Sequence, residues 1–459
     1  MLNRKAKGKL TLLSTLLFLS ACVPGSNERI GEAMPPHPAP RTSVEFSAII
    51  QPNKEVMVGT ATQLTPFLNR LSKLDAGKPE RLTILQLGDS HTAGGIISEH
   101  LRRLLQDRFG GAGRGMMVAG HAYSGLRQTD IRITQSGKWN FVNSLKSGTP
   151  GPFGISGFRA TSRKAGSSMT LNSQEDAGFD RVVVEYVRRP GNGYLDIEVD
   201  GRRISHLSTN GSRTEVLTMS AAVPTGSRQL RLMAPGKEPV ELLSWTIERS
   251  TPGIIYDSHG VSGATVEIIS RWDEEVVTKE LRSRSPSLVI LAYGTNEGFG
   301  AGFDAARYEA IFRDTVKRIR ATLPEAAILV MGAPDAARMP EKNCKKRNDA
   351  LILPCVQPGS QISPRQCIWS PPSPLAEVRE IQRRVSANEG AYFWNWEALM
   401  GGACGIHRWA LANPPLARSD HVHLNLLGYT AVAESLYQTI MEAYRNHDAA
   451  VSGIPARRG

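Results

Sequence analysis

After its N-terminal leader the chain contains no apolar run of membrane-spanning length, so its body is read as water-soluble. It contains no C-x-x-C spacing, which argues against a structural zinc site. It contains no G-x-S-x-G elbow, which disfavours the α/β-hydrolase fold. No internal repeat is present, and no nucleic-acid motif accompanies the net charge of +12. Such a charge suits anionic envelope polymers or lipid head groups, or simply a soluble basic surface. Hydrophobic residues make up 41% and charged residues 21%, the balance of a globular protein. At 459 residues the chain is too long for one ordinary core, so one large and one smaller folded unit are expected.

The leader places the chain. Arg4, Lys5, Lys7 and Lys9 precede the apolar stretch from Leu10 to Leu19, the layout of a secretory signal. Leu19-Ser20-Ala21-Cys22 resembles a bacterial lipobox, with Cys22 as the lipidated residue that becomes the mature N-terminus. Val23 rather than Asp follows it, which in the Gram-negative lipoproteins it resembles favours the outer membrane. The expected location is therefore periplasmic, with the membrane contacted through the lipid alone. Without Cys22, four cysteines remain in an oxidising compartment: Cys344, Cys355, Cys367 and Cys404. Three pairings are open. Cys344 with Cys355 and Cys367 with Cys404 is favoured, because the first pair closes a short loop.

From Val23 to about Ser43 the chain is rich in Pro, Gly and Ser and reads as a tether. The run Leu82-Thr83-Ile84-Leu85-Gln86-Leu87 stops at Gly88 and precedes an amphipathic stretch with Ile97, Leu101, Leu104, Leu105 and Phe109, which is strand, turn, helix. Further apolar runs at Gly253–Tyr256, Ser287–Tyr293, Ala326–Met331 and Ala391–Trp394 alternate with helical patterns over Val266–Leu281, Tyr308–Leu323, Leu375–Ala387 and Leu426–Tyr444. Alternation of this kind predicts an α/β fold, a parallel sheet with helices on both faces. Between 121 and 252 the texture changes to short alternating segments such as 181–186, 195–199 and 230–232, with a hairpin signal at Asp200-Gly201. These predict an inserted β-sandwich. The expected organisation is a signal peptide (1–21), an anchored flexible linker (22–62), the α/β body (63–120 and 253–446), the insert (121–252) and a flexible tail (447–459).

Ser90, in Gly88-Asp89-Ser90-His91-Thr92, falls where a strand's carboxyl end meets a helix N-terminus, where open α/β sheets bind ligands. A serine hydroxyl needs a base to take its proton and a third group to orient that base. Asp420 and His423, three apart in Ser419-Asp420-His421-Val422-His423, have the spacing for the carboxylate to reach Nδ1 of the imidazole. His421 competes as base, but a sequence neighbour points away from Asp420. A metal site on Asp420, His421 and His423 is the alternative, but no complete ligand set accompanies them. Asp89 reads as a brace for the turn, and His91 and His259 as local turn or pocket residues. Trp369, Trp394, Trp396 and Trp409 are either sugar platforms or core.

These blocks resemble, in order, those of the SGNH (GDSL) hydrolases: Gly-Asp-Ser, then Ser262-Gly263-Ala264-Thr265, then Gly294-Thr295-Asn296-Glu297, then Asp-x-x-His. The resemblance implies a flavodoxin-like three-layer fold and a metal-independent serine hydrolase that needs no cofactor. It assigns Ser90 as nucleophile, His423 as general base and Asp420 as its orienter. The oxyanion hole would comprise the backbone N–H groups of Ser90 and Gly263 and the Asn296 amide. Two departures stand out, His91-Thr92 after the serine and Glu297 after the asparagine. With the long insert, Trp394-Asn395-Trp396 and Met400-Gly401-Gly402, they resemble the peptidoglycan O-acetylesterase branch, whose insert is like a carbohydrate-binding module. The expected activity is removal of O-acetyl groups from a cell-envelope polysaccharide by a monomer with no nucleic-acid partner. The alternatives are an envelope O-acetyltransferase using the same serine and an inactive glycan-binding lipoprotein.

Overall fold

The computed structural model describes residues 54–123, 129–300, 302–339, 344, 349–357, 360 and 366–452. The signal peptide, Cys22 and the linker up to residue 53 lie outside them.

The α/β body is built on a parallel sheet in the spatial order Gly253–Gly260, Arg81–Gly88, Leu288–Ala292, Ala327–Met331, Tyr392–Trp394. Counted along the body, that is 2-1-3-4-5, the flavodoxin-like winding. Side chains alternate across a strand, and here the alternation sorts two cores. Leu82, Ile84, Leu288, Ile290 and Leu329 face one layer with Leu71, Leu101, Leu105, Val432 and Leu436. Leu85, Leu87, Val289, Leu291 and Val330 face the other with Phe312, Val316, Val378 and Ile381. Helices Thr65–Asp75, Ile96–Phe109 and Leu426–Ser452 supply the first layer, and Glu274–Arg284, Ala305–Thr322 and Ser373–Asn388 the second. Among the described residues no helix is long and apolar enough to cross a membrane.

The insert is a sandwich of two antiparallel sheets. One runs Glu215–Ser227, Phe179–Arg188, Val240–Glu248, Phe158–Ser162, Asn140–Asn143, and the other Ile131–Ser136, Ser167–Ser173, Gln229–Ala234, Tyr194–Val199, Arg202–Ser208. Asp200 (φ 47°) and Gly201 (φ 78°) join the last two strands through the positive-φ pair that a tight right-twisted hairpin requires.

Four boundaries differ from expectation, each for a physical reason. Residues 54–62 are not linker: Val56 is buried, and Met57 bridges Trp394, covering the edge of the parallel sheet. The sandwich begins before residue 121. Strand Gly113–Val118 pairs with Val240–Glu248 and forms a seam, with Met116 and Val118 in a body core and Met117 and Ala119 in the sandwich core. The pattern over Val266–Leu281 is divided into a 3-10 turn, Val266–Arg271, and a helix, Glu274–Arg284, because Asp273 caps the helix by accepting the Val276 N–H at 3.1 Å. The C-terminal helix continues to Ser452, so 447–452 is not tail.

The favoured disulfide pairing is also corrected. Cys344 joins Cys367 and Cys355 joins Cys404. Proximity along the chain is overridden because Cys355 bridges Trp369 in a short β-contact that sets it beside Cys404, at the start of helix Gly405–Leu411.

Candidate active site

Ser90 opens the short helix Ser90–Ala93 at the carboxyl end of the second strand in space. Asp89 caps that helix, its Oδ1 accepting the His91 N–H at 3.0 Å, so it is the brace expected. Burial pushes the Asp89 carboxyl up to about 7. Beneath the turn, the buried Gln86 donates to Thr92 Oγ1 at 2.9 Å and accepts from Tyr256 Oη at 2.7 Å. Gly260 has no room for a side chain, since a Cβ there would stand 2.2 Å from the Ala93 backbone N.

His423 Nε2 lies 3.0 Å from Ser90 Oγ, and His423 Nδ1 lies 2.9 Å from Asp420 Oδ2. Asp420 Oδ1 accepts the backbone N–H groups of Val422 and His423, each at 2.9 Å. Burial raises the Asp420 pKa, but the hydrogen bonds from the His423 ring and from these two backbone groups outweigh it and bring it down to about 2. Asp420 is therefore a carboxylate at neutral pH, oriented to receive a proton-bearing Nδ1. The chain Asp420, His423, Ser90 can draw a proton off the hydroxyl.

Two further loops close on this point. Gly263 holds φ +81°, the left-handed region that favours glycine, in a turn where the Ala264 N–H donates to Val261 O at 3.0 Å. Asn296, in the helix Thr295–Phe299 after the next strand, donates through Nδ2 to Ala264 O at 2.8 Å. One N–H of that amide is thus engaged and a second is left to point elsewhere. As the first residue of a helix, Ser90 carries an N–H with no acceptor within that helix.

Glu297 ties the asparagine and glycine loops together, its Oε1 accepting the Val266 N–H at 2.8 Å. Burial pushes its carboxyl up to about 7. The proton is therefore retained on folding, and this contribution to stability, complete below about pH 4.5, is lost as pH rises through about 7. Glu297→Gln keeps the accepting oxygen and cannot ionise. It is expected to unfold like the wild type at pH 4 and to be more stable at pH 8 by about 3 kcal/mol, measured by denaturant titration.

The remaining expected residues fall as follows. His91 is buried behind the serine, 2.9 Å from Tyr429 Oη through Nδ1, and burial holds its pKa at about 3, so its ring is neutral. His259 is also buried, with neither ring nitrogen hydrogen-bonded. Trp369, Trp394, Trp396 and Trp409 are all buried and serve as core. His421 is buried beside His407 and Trp369, away from Ser90. Among the described residues no group of three or more His, Cys, Asp or Glu side chains is arranged to hold a metal ion.

Some contributions went unread in the sequence. Tyr429 joins the two ends of the site, and its only sequence signal is its place one turn into the helix after the Asp-x-x-His loop. The insert reaches the site too, with Tyr123 Oη donating to Ala93 O at 3.0 Å and Leu145 Cδ2 3.8 Å from where a Gly263 Cβ would be.

Residues 240–431 match the model of the GDSL-like lipase/acylhydrolase family. No curated protein matches the chain. Among solved structures, one described as a peptidoglycan O-acetylesterase in action is 31% identical, with a TM-score of 0.67, over 85% of this chain and 99% of that one. An acetyl xylan esterase, AlAXEase, is 16% identical over 41% of this chain and 81% of its own, with a TM-score of 0.27. A CBM36-1 domain of a multidomain xylanase from the hindgut metagenome of Trinervitermes trinervoides is 12% identical over 26% of this chain and 96% of its own, with a TM-score of 0.19.

Proposed function

This chain belongs to the SGNH (GDSL) hydrolase family, and from that membership we propose that it removes O-acetyl groups from a cell-envelope glycan, with O-acetylated peptidoglycan as substrate. The observation that carries the chemistry is the hydrogen-bonded series Asp420, His423, Ser90. What supports the substrate is likeness to a peptidoglycan O-acetylesterase across nearly the whole of that protein.

In the proposed reaction Ser90 Oγ attacks the acetyl carbonyl carbon as His423 Nε2 takes its proton, and Asp420 stabilises the imidazolium. The tetrahedral oxyanion is met by the N–H groups of Ser90 and Gly263 and by the second N–H of Asn296. Collapse expels the sugar oxygen, which His423 protonates, and leaves acetyl-Ser90. Water, deprotonated by His423, then attacks this ester, releasing acetate and restoring the serine. Purified protein is expected to release acetate from O-acetylated peptidoglycan. Failure to do so, while it cleaves a simple acetyl ester, would overturn the substrate and leave the esterase chemistry standing.

Asn296 acts on a charge present only in the tetrahedral state. Asn296→Ala is expected to lower kcat on the order of a hundredfold, about 3 kcal/mol of barrier, with little change in KM. Steady-state kinetics on a soluble acetyl ester check this.

We also place the protein in the periplasm, held to the outer membrane by lipid on Cys22. Cys22→Ser is expected to move it from the membrane to the soluble fraction on cell fractionation, and continued membrane association would refute the anchor.

A further inference from the structure

His421 lies between Asp420 and His423 in sequence but does not belong to their hydrogen-bond series. It is fully buried and holds φ +57°, a left-handed backbone that a non-glycine residue keeps only where its surroundings impose it. Those surroundings are specific. The ring of His421 stacks on Trp369 with centroids 3.6 Å apart and planes inclined by 18°. His407 meets the edge of that ring, with centroids 5.1 Å apart and planes inclined by 25°.

Its polar atoms are fixed as well. Nδ1 is 3.1 Å from Ser419 O, an acceptor only, so that nitrogen carries the proton. With that ring neutral, Nε2 accepts from its partner at 2.9 Å, His407 Nδ1. The backbone carbonyl of His421 accepts the Ala337 N–H at 2.8 Å. The two flanking groups are themselves joined. Helix Gly405–Leu411, which carries His407, starts beside Cys404, and Cys404 is bonded to Cys355, which bridges Trp369. Ile406 N–H is further held by Asp335 Oδ2 at 3.0 Å.

We propose that His421 is a positioning residue: clamped between Trp369 and His407, it sets the left-handed turn that aims Asp420 and His423 at Ser90. The turn is what lets Asp420 Oδ1 collect the Val422 and His423 N–H groups while Oδ2 faces the imidazole. The inference rests on the esterase reading for what the aimed groups then do, but not for the clamp itself.

The test uses the full chain, with p-nitrophenyl acetate hydrolysis, thermal unfolding and backbone amide exchange measured on each variant. His407→Leu removes the hydrogen bond, whereas His407→Asn returns a polar group near the Nδ1 position. His421→Asn tolerates the left-handed backbone but cannot reach His407 or cover Trp369. His407→Leu and His421→Asn are expected to lower kcat on the order of tenfold to a hundredfold, with KM within about twofold of the wild type. Amide exchange at Val422 and His423 is expected to quicken by about tenfold in both while the protein stays folded at the assay temperature. His407→Asn should restore kcat to within about threefold. Wild-type kcat and exchange in both His407→Leu and His421→Asn would overturn the proposal. So would a loss of activity that merely follows a loss of folded protein. If the wild type hydrolyses no ester, the esterase reading fails, and exchange at Val422 and His423 still decides the clamp.

Discussion

Ser90→Ala is expected to lower acetyl-ester hydrolysis by between about ten-thousandfold and a millionfold, with the fold intact. Its Oγ is the atom 3.0 Å from His423 Nε2, and no other described side-chain hydroxyl makes a hydrogen bond to that nitrogen. Removing one oxygen from a partly exposed position leaves Asp89, Gln86 and Thr92 in their hydrogen bonds, so the turn has no cause to move. Activity that remains should reflect solvent attack on an ester polarised by the oxyanion donors. Acetate release with unchanged thermal unfolding is the measurement, and near-normal turnover would remove the serine from the chemistry.

Asp420→Asn should cost about ten-thousandfold in kcat, nearly as much, for a subtler reason. Oδ1 of Asp420 is occupied by two backbone N–H donors, so an asparagine must keep its oxygen there and turn its NH2 toward His423. An amide N–H facing Nδ1 forces the imidazole into the other tautomer, with its proton on Nε2, where it faces Ser90 Oγ and cannot accept. The wild-type carboxylate, with its pKa brought down to about 2, stays ionised through the whole neutral range and never presents such a donor. The kinetics of Asp420→Asn at neutral pH, beside an unfolding curve matching the wild type, test this. A loss of only a few fold would mean that the imidazole is oriented by something else.

The parallel sheet and the site were legible in the sequence because both are written locally. Each strand is a short apolar run ended by glycine or a polar turn, Ser90, Gly263 and Asn296 lie within a few positions of such an end, and Asp420 and His423 stand three apart on one loop just before the last helix. The sandwich was legible from its alternation and from Asp200-Gly201. What escaped is what long-range packing decides. Nothing around Met57 announces that it will cover a sheet edge beside Trp394, nor that Met116 and Met117 will enter different cores. The disulfides do not follow loop length, because the contact between Cys355 and Trp369 is set by the fold and not by the sequence around either residue. Glu297 reads in the sequence only as a departure from the family pattern, yet its buried carboxyl joins two loops of the site. Tyr429 and His407 carry no motif at all, and only the fold brings them to the base loop.

The order of the site along the chain has a consequence for biosynthesis. Ser90 and His423 are 333 residues apart. At roughly 5–20 residues per second, the nucleophile is made roughly 20 to 70 seconds before its base. Asp420, His407 and Cys404 also arrive in that last portion, so the growing polypeptide carries a serine with nothing to deprotonate it. Ser90 therefore has no base until the C-terminal loop carrying Asp420 and His423 docks against it, so hydrolysis is expected only after that last portion of the chain has folded.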